Sequence, residues 1–150
     1  MCDIEECFSV NMLDIKSYSK IIDTKTMTAI NKLLFKSNMR EYFDLGDIMY
    51  VGCREGKVLA IEVFRLEELD GEILPRFIHI ILDDEIKQSK EAVRFLLHND
   101  KDIAGYGYKK SWAYILKERC DMATLAMKFG FKKIEEDLEH ITLVKELSYV

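Results

Sequence analysis

The chain of 150 residues is 49% hydrophobic and 33% charged, an ordinary globular balance that excludes a fibrous or disordered polypeptide. Its length suits one domain spanning residues 1–150 around a sizeable core, and one proline and seven glycines leave no room for a Pro/Gly-rich linker. The net charge of −5 argues against nonspecific nucleic-acid binding, though a local basic patch is compatible with it, no apolar run reaches the ~18 residues of a membrane span, and cysteines 2, 7, 53 and 120 lack metal-type spacing, so a reduced, cytoplasmic setting is expected.

The acidic start from Met1 to Glu6 lacks the pattern of a signal peptide. Cys7 to Met12 reads as a first strand. Asp14 is expected to cap a helix carrying Ile15, Tyr18, Ile21 and Ile22. Thr24 or Thr26 then opens a second helix, in which Met27, Ile30, Leu33 and Leu34 recur at helical spacing. Ser37 to Gly46 is polar and aromatic and reads as a loop or a frayed turn. From Asp47 the period changes to that of a strand. Ile48 to Val51, the Glu55-Gly56 turn and Val58 to Phe64 predict a hairpin. Asp70-Gly71 is the next turn, returning through Ile73 and Leu74, with Pro75 expected at an edge or a bulge.

The stretch from Phe77 to Leu97 organises the rest. An apolar strand, Phe77 to Leu82, crosses the acidic turn Asp83-Asp84-Glu85 and becomes a helix bearing Ala92, Val93, Leu96 and Leu97. A strand running straight into a helix start offers unpaired N–H groups and the positive end of a dipole, the usual seat of a phosphate. The helix is expected to end near His98-Asn99-Asp100, with His98 favoured by the C-terminal carbonyls. Gly105 to Tyr108 is a loop, not a dinucleotide fingerprint. Ser111 to Leu116 is the next strand. Asp121 to Phe129 is a short helix closed by Gly130. Phe131 to Ile134 and His140 to Leu147 are the last strands, joined by an acidic turn. The order implies an α+β (mixed α/β) fold, a twisted mixed sheet of about seven strands flanked by about four helices. The strands on either side of the central helix should be parallel.

This element order, with two short blocks, resembles the GNAT superfamily of acyl-CoA N-acyltransferases. Family members follow the central strand with R/Q-x-x-G-x-G/A, whose backbone N–H groups hold the CoA pyrophosphate. Here the pattern falls on Lys87-Gln88-Ser89-Lys90-Glu91-Ala92, with Lys90 in place of the middle glycine. The family's late helix commonly reads N-x-x-A-x-x-L-Y-x-K-x-G-F. Leu125, Lys128, Gly130 and Phe131 match it, while Ala126 replaces the tyrosine that often serves as general acid. Short phage-encoded members have loops similar to this block. The resemblance implies acetyl-CoA as cosubstrate, bound by Ile81, Leu82, Lys87, Gln88, Ser89, Lys90, Glu91 and Ala92. It implies an acceptor amine, on a small molecule or a protein, entering between the first two helices and the three-stranded meander. A strand N–H would polarise the thioester carbonyl.

Acyl transfer needs a group to take the amine proton. Glu62, which interrupts an apolar run, and Asp83, at the end of the central strand, are the candidate catalytic residues. Each reads more often as a strand carboxylate facing solvent than as a base. His79 reads as a structural histidine before a base, and Cys120 as a small buried hydrophobe before a nucleophile beside Arg119. Trp112, Tyr114 and Tyr106 read as core or groove lining. No metal-ligand spacing appears. The alternative to an N-acetyltransferase is a catalytically silent GNAT-fold binding or assembly module, of the phage-encoded kind, with a homodimer or a protein partner. Lys90, the acidic turn and Ala126 favour it, and fold does not fix function.

Overall fold

A computed structural model describes residues 13–18, 24–36 and 47–147. Its elements are β1 (Asp14–Tyr18), α1 (Thr24–Lys36), β2 (Ile48–Arg54), β3 (Lys57–Leu69), β4 (Glu72–Leu82), α2 (Lys90–Gly105), β5 (Lys110–Leu116), α3 (Cys120–Lys128), β6 (Lys132–Glu136) and β7 (His140–Glu146). The strands form one seven-stranded sheet in the order β1-β2-β3-β4-β5-β7-β6. β4 and β5 are parallel, with Arg76 opposite Trp112, as the crossover through α2 requires. β1–β2, β5–β7 and β6–β7 are antiparallel. The fold is therefore the expected mixed-sheet α+β, with three helices among the described residues rather than four. None of these helices is long and apolar enough to cross a membrane.

Both hairpin turns follow the sequence closely. Glu55-Gly56 has φ of 54° and 76°, and Asp70-Gly71 has 50° and 85°. Two consecutive left-handed residues match the twist of the flanking strands, and a glycine in the second place makes that inexpensive.

Three expectations are corrected. Asp14 does not cap a helix. Asp14 to Tyr18 pairs with Met49 to Cys53 as β1, because strand pairing supplies a full ladder to a segment whose helical periodicity spans only two turns. The central helix does not stop at His98. It continues to Gly105, since Asn99 and Asp100 are buried and find polar partners there. His98 is thus an exposed mid-helix residue, away from the last carbonyls. Pro75 is not on an edge strand. It lies in β4, between β3 and β5, one residue before Arg76, the position registered with β5. The expected first strand, Cys7 to Met12, and the loop from Ser37 to Gly46 lie outside the described residues.

The chain divides into two compact units, Met1–Val63 with His79–Asn99 and Phe64–Ile78 with Asp100–Val150. In the first, Ile30, Leu33 and Leu34 of α1, Tyr50 and Val51 of β2, Leu59 and Ile61 of β3 and Phe95 of α2 are buried. Gly52 lets α2 approach β2 closely. A Cβ there would lie 3.3 Å from the Phe95 ring and 3.2 Å from Leu13 Cδ1. In the second unit, Ala113, Ile115, Ala123 and Leu143 form a core against which Phe77, Met122, Ala126, Phe131 and Ile141 pack. Gly130 has φ of 100° and ends α3 where only glycine sits without strain.

The second unit also buries an ion pair between Lys145 Nζ and Asp100 Oδ2. The lysine stem lies 3.5 Å from the space a Gly130 side chain would take, and its ammonium is 5.8 Å from the Phe131 ring centre. Removing one partner leaves a buried charge. Lys145→Ala is expected to lower stability by about 3–5 kcal/mol, and Lys145→Met combined with Asp100→Leu to recover most of that loss. Urea unfolding of both variants checks this; equal losses would contradict it.

Candidate functional site at the start of α2

The junction between β4 and α2 lies within the first unit. The Asp83 N–H donates to the Leu59 carbonyl at 2.8 Å, tying the end of β4 to β3. The Asp83 carbonyl accepts from Ile86 and Lys87 N–H, both at 3.0 Å. Its carboxylate accepts the Glu85 N–H at 2.9 Å. Ile86 is fully buried and anchors the turn. Gln88 then adopts φ of 62°, and Ser89 caps the helix. Ser89 Oγ accepts the Ala92 N–H at 3.3 Å and donates to the Ile86 carbonyl. With Ala92 satisfied by the cap, Lys90 and Glu91 carry first-turn N–H groups that have no acceptor within the helix.

The lysine at the family's glycine position creates no backbone difficulty. The left-handed residue of this turn is Gln88, not Lys90, and Lys90 is an exposed first-turn residue. Glu91 points elsewhere: its carboxylate accepts the Leu13 N–H at 3.2 Å and an Arg94 N–H at 3.0 Å. Ala92 is buried. Among the residues expected to hold a cofactor, Lys87, Gln88 and Lys90 present exposed side chains. Ser89 and Glu91 are committed to structure, and Ile81 and Leu82 close β4.

Cations from α1, β2 and β3 pair with Asp83 and Glu85, and Lys87 of the turn itself lies near Asp84. Asp83 Oδ2 accepts from Lys36 Nζ at 2.9 Å, and the carboxylate is almost wholly buried. Glu85 accepts from Arg54 at 2.7 Å and lies 3.5 Å from Lys57 Nζ. Asp84 is 3.7 Å from Lys87. The Lys36 hydrogen bond, and then the Glu85 N–H, hold the Asp83 carboxyl below its ordinary range. Arg54 and Lys57 do the same to Glu85.

Glu62 does not face solvent. It is buried, and its Oε1 accepts from Asn99 Nδ2 at 2.9 Å. Asn99 Oδ1 lies 3.2 Å from His98 Nδ1. Asn99 was legible in principle, since it falls in phase with Ala92, Phe95 and Ile103 on the buried stripe, where a polar residue demands a partner. Lys36, Arg54 and Lys57 carry no such signal. Between α1 and the β2–β3 turn lies a cavity of about 200 Å³, bounded by Lys32, Leu33, Lys36, Glu55, Lys57 and Asp83. His79 is half-buried. Cys120 is exposed rather than buried, and Arg119 lies 3.7 Å from Asp121. Tyr106 is exposed, while Trp112 and Tyr114 both meet Arg76. Among the described residues there is no cluster able to hold a metal ion.

The Asp83 pairing has a pH signature. A carboxyl whose pKa is depressed by folding stabilises the fold above its unfolded value of ~3.9 and loses that contribution as pH falls through its folded value. Lys36→Met is therefore expected to be less stable than the parent at neutral pH, with the gap narrowing as pH drops below ~4. Unfolding followed across pH checks it; a gap that stays constant would contradict the assignment.

No protein-family model and no curated protein matches the sequence. Solved structures do match in shape. A protein of Desulfovibrio desulfuricans assigned to the GNAT family of acetyltransferases has a TM-score of 0.70 at 9% identity, covering 90% of this chain and 100% of that one. An N-acetyltransferase of Staphylococcus aureus gives 0.65 at 12%, with coverages of 91% and 98%. The PaiA N-acetyltransferase of Thermoplasma acidophilum, solved in complex with coenzyme A, gives 0.64 at 10%, with 89% and 99%. Such identities speak to architecture, and that architecture, with its seven-stranded mixed sheet and its strand-to-helix junction after β4, is the GNAT acyl-CoA N-acyltransferase fold.

Proposed function

We propose that the chain, acting as one domain, is an N-acetyltransferase that carries acetyl-CoA across the start of α2 and passes the acetyl group to an amine. The observation that supports this best is the state of the acidic turn. Asp83 and Glu85 are spoken for by Lys36, Arg54 and Lys57, so two of the three carboxylates of the turn are already paired, and Asp84 lies 3.7 Å from Lys87. Free first-turn N–H groups at Lys90 and Glu91, with the exposed ammoniums of Lys87 and Lys90 beside them, are the donors a pyrophosphate requires. Held there, the cofactor's pantetheine arm would run back along β4 toward Leu82 and Ile81.

In the reaction the amine nitrogen attacks the thioester carbonyl, a C–N bond forms, the C–S bond breaks and the thiolate leaves. The amine must lose its proton. Asp83, ion-paired and with its pKa lowered, is a poor base at neutral pH. Glu62 would act only through the Asn99 amide that it holds. A water relay to bulk solvent is the simpler path for that proton.

The silent module is the second reading, and Ala126 favours it. Its side chain packs against the core of the second unit, so this position supplies no general acid. Protonation of the thiolate by water would make such an acid dispensable.

Calorimetric titration with acetyl-CoA, alongside a Lys90→Glu variant, separates the readings. Reversing one charge near the pyrophosphate is expected to weaken binding by about tenfold. Binding followed by thiol release with an amine panel supports the enzyme. Binding without turnover for any small amine or N-terminal peptide supports the module. No heat and no thermal shift at millimolar acetyl-CoA would overturn cofactor binding itself.

A further inference from the structure

The second unit carries a different set of polar groups on one face of its strands. Arg76 and Trp112 are register partners across β4 and β5, and Tyr114 follows on the same face two residues on. The Arg76 guanidinium carbon is 5.3 Å from the indole ring centre and 5.9 Å from the phenol ring centre. Tyr114 in turn stacks on His140, with centroids 4.1 Å apart and planes 15° apart.

Two N–H donors in this array have no acceptor: Arg76 Nε and Trp112 Nε1, both buried. Trp112 itself is only 7% exposed. A buried donor without a partner is rare, because its desolvation is not offset. The acceptors nearby are engaged. Glu67 takes Arg76 Nη1 at 2.7 Å and lies 3.9 Å from Arg65 Nη1. Asp137 accepts from Tyr114 Oη at 2.7 Å and from the N–H groups of Glu139 and His140, and these bonds lower its pKa to about 2. Ser111 Oγ, also unpartnered, belongs to the opposite face by strand alternation.

We propose that Arg76 and Trp112 form a binding site for a small oxyanion, a carboxylate or a phosphate, one oxygen of which accepts from both N–H groups. The positive charge of Arg76 selects an anion over a neutral carbonyl. A quarter of the Arg76 side chain is exposed, so its guanidinium edge is the way in. Tyr114, 37% exposed, offers an aromatic wall for the rest of such a ligand. The site stands or falls apart from acetyl-CoA binding, which concerns residues of the first unit.

Trp112 is the sole tryptophan of the chain, so its indole N–H gives one nitrogen-15 correlation peak. The test titrates labelled full-length protein, without acetyl-CoA, with succinate and with inorganic phosphate at constant ionic strength. Succinamide and sodium chloride serve as controls. Arg76→Lys keeps the charge and removes the Nε–H, and its backbone spectrum reports whether the fold is intact. A saturable shift of the indole peak with one or both anions, weakened about tenfold in Arg76→Lys, is expected. Succinate alone would mark a carboxylate site, and phosphate alone a phosphate site. A peak that responds to neither anion, or equally to succinamide or chloride, would overturn the proposal. So would an Arg76→Lys protein, folded, that titrates like the parent.

Discussion

The ion pair between Lys36 and Asp83 is the contact on which the candidate site depends. Asp83 sits where β4 ends. Its backbone N–H is bound to β3, its carbonyl starts the turn, and its carboxylate caps that turn through the Glu85 N–H. Its carboxylate is almost wholly buried, and a buried charge is tolerated only with a partner. Lys36, in the last turn of α1, is that partner. One residue therefore ties the strand end and the turn together through its backbone and joins both to α1 through its side chain. The same pairing removes a repulsive charge from the approach to α2. Structure and electrostatics at this junction come from one interaction.

Much of the architecture was legible because local chemistry and tertiary structure agree. The Glu55-Gly56 and Asp70-Gly71 turns, the helical stripe of Ile30, Leu33 and Leu34, and the glycine stop at Gly130 each state their geometry within a few residues. The misreadings have physical causes. Ile15 and Tyr18 share a helical spacing, yet the ladder with β2 decides their conformation. Asn99 and Asp100 look like a helix end because both residues favour turns when alone. Inside α2 they are held by Glu62 and Lys145, partners 37 and 45 residues distant in sequence, and that pairing outweighs the local preference.

The site was legible only in outline. A strand entering a helix after an acidic turn marked the junction, and the residues from Lys87 to Ala92 marked its sequence. What each side chain does there could not be read, because the answer lies in α1 and in the β2–β3 turn. The three carboxylates looked like an obstacle to an anion until their cations were in place. Lys90 looked like a steric loss, but the left-handed conformation had moved to Gln88. Glu62 and Asp83, chosen for their positions on strands, are both engaged by long-range partners, Asn99 and Lys36.

The central claim is that the N–H groups at the start of α2 receive the cofactor's pyrophosphate. The most direct test is the amide spectrum of isotope-labelled protein during a titration with coenzyme A. The account predicts that the amides of Lys90 and Glu91 shift most, and that Ala92, already bonded to Ser89, shifts less. Shifts centred away from the β4–α2 junction, or none at saturating coenzyme A, would contradict it.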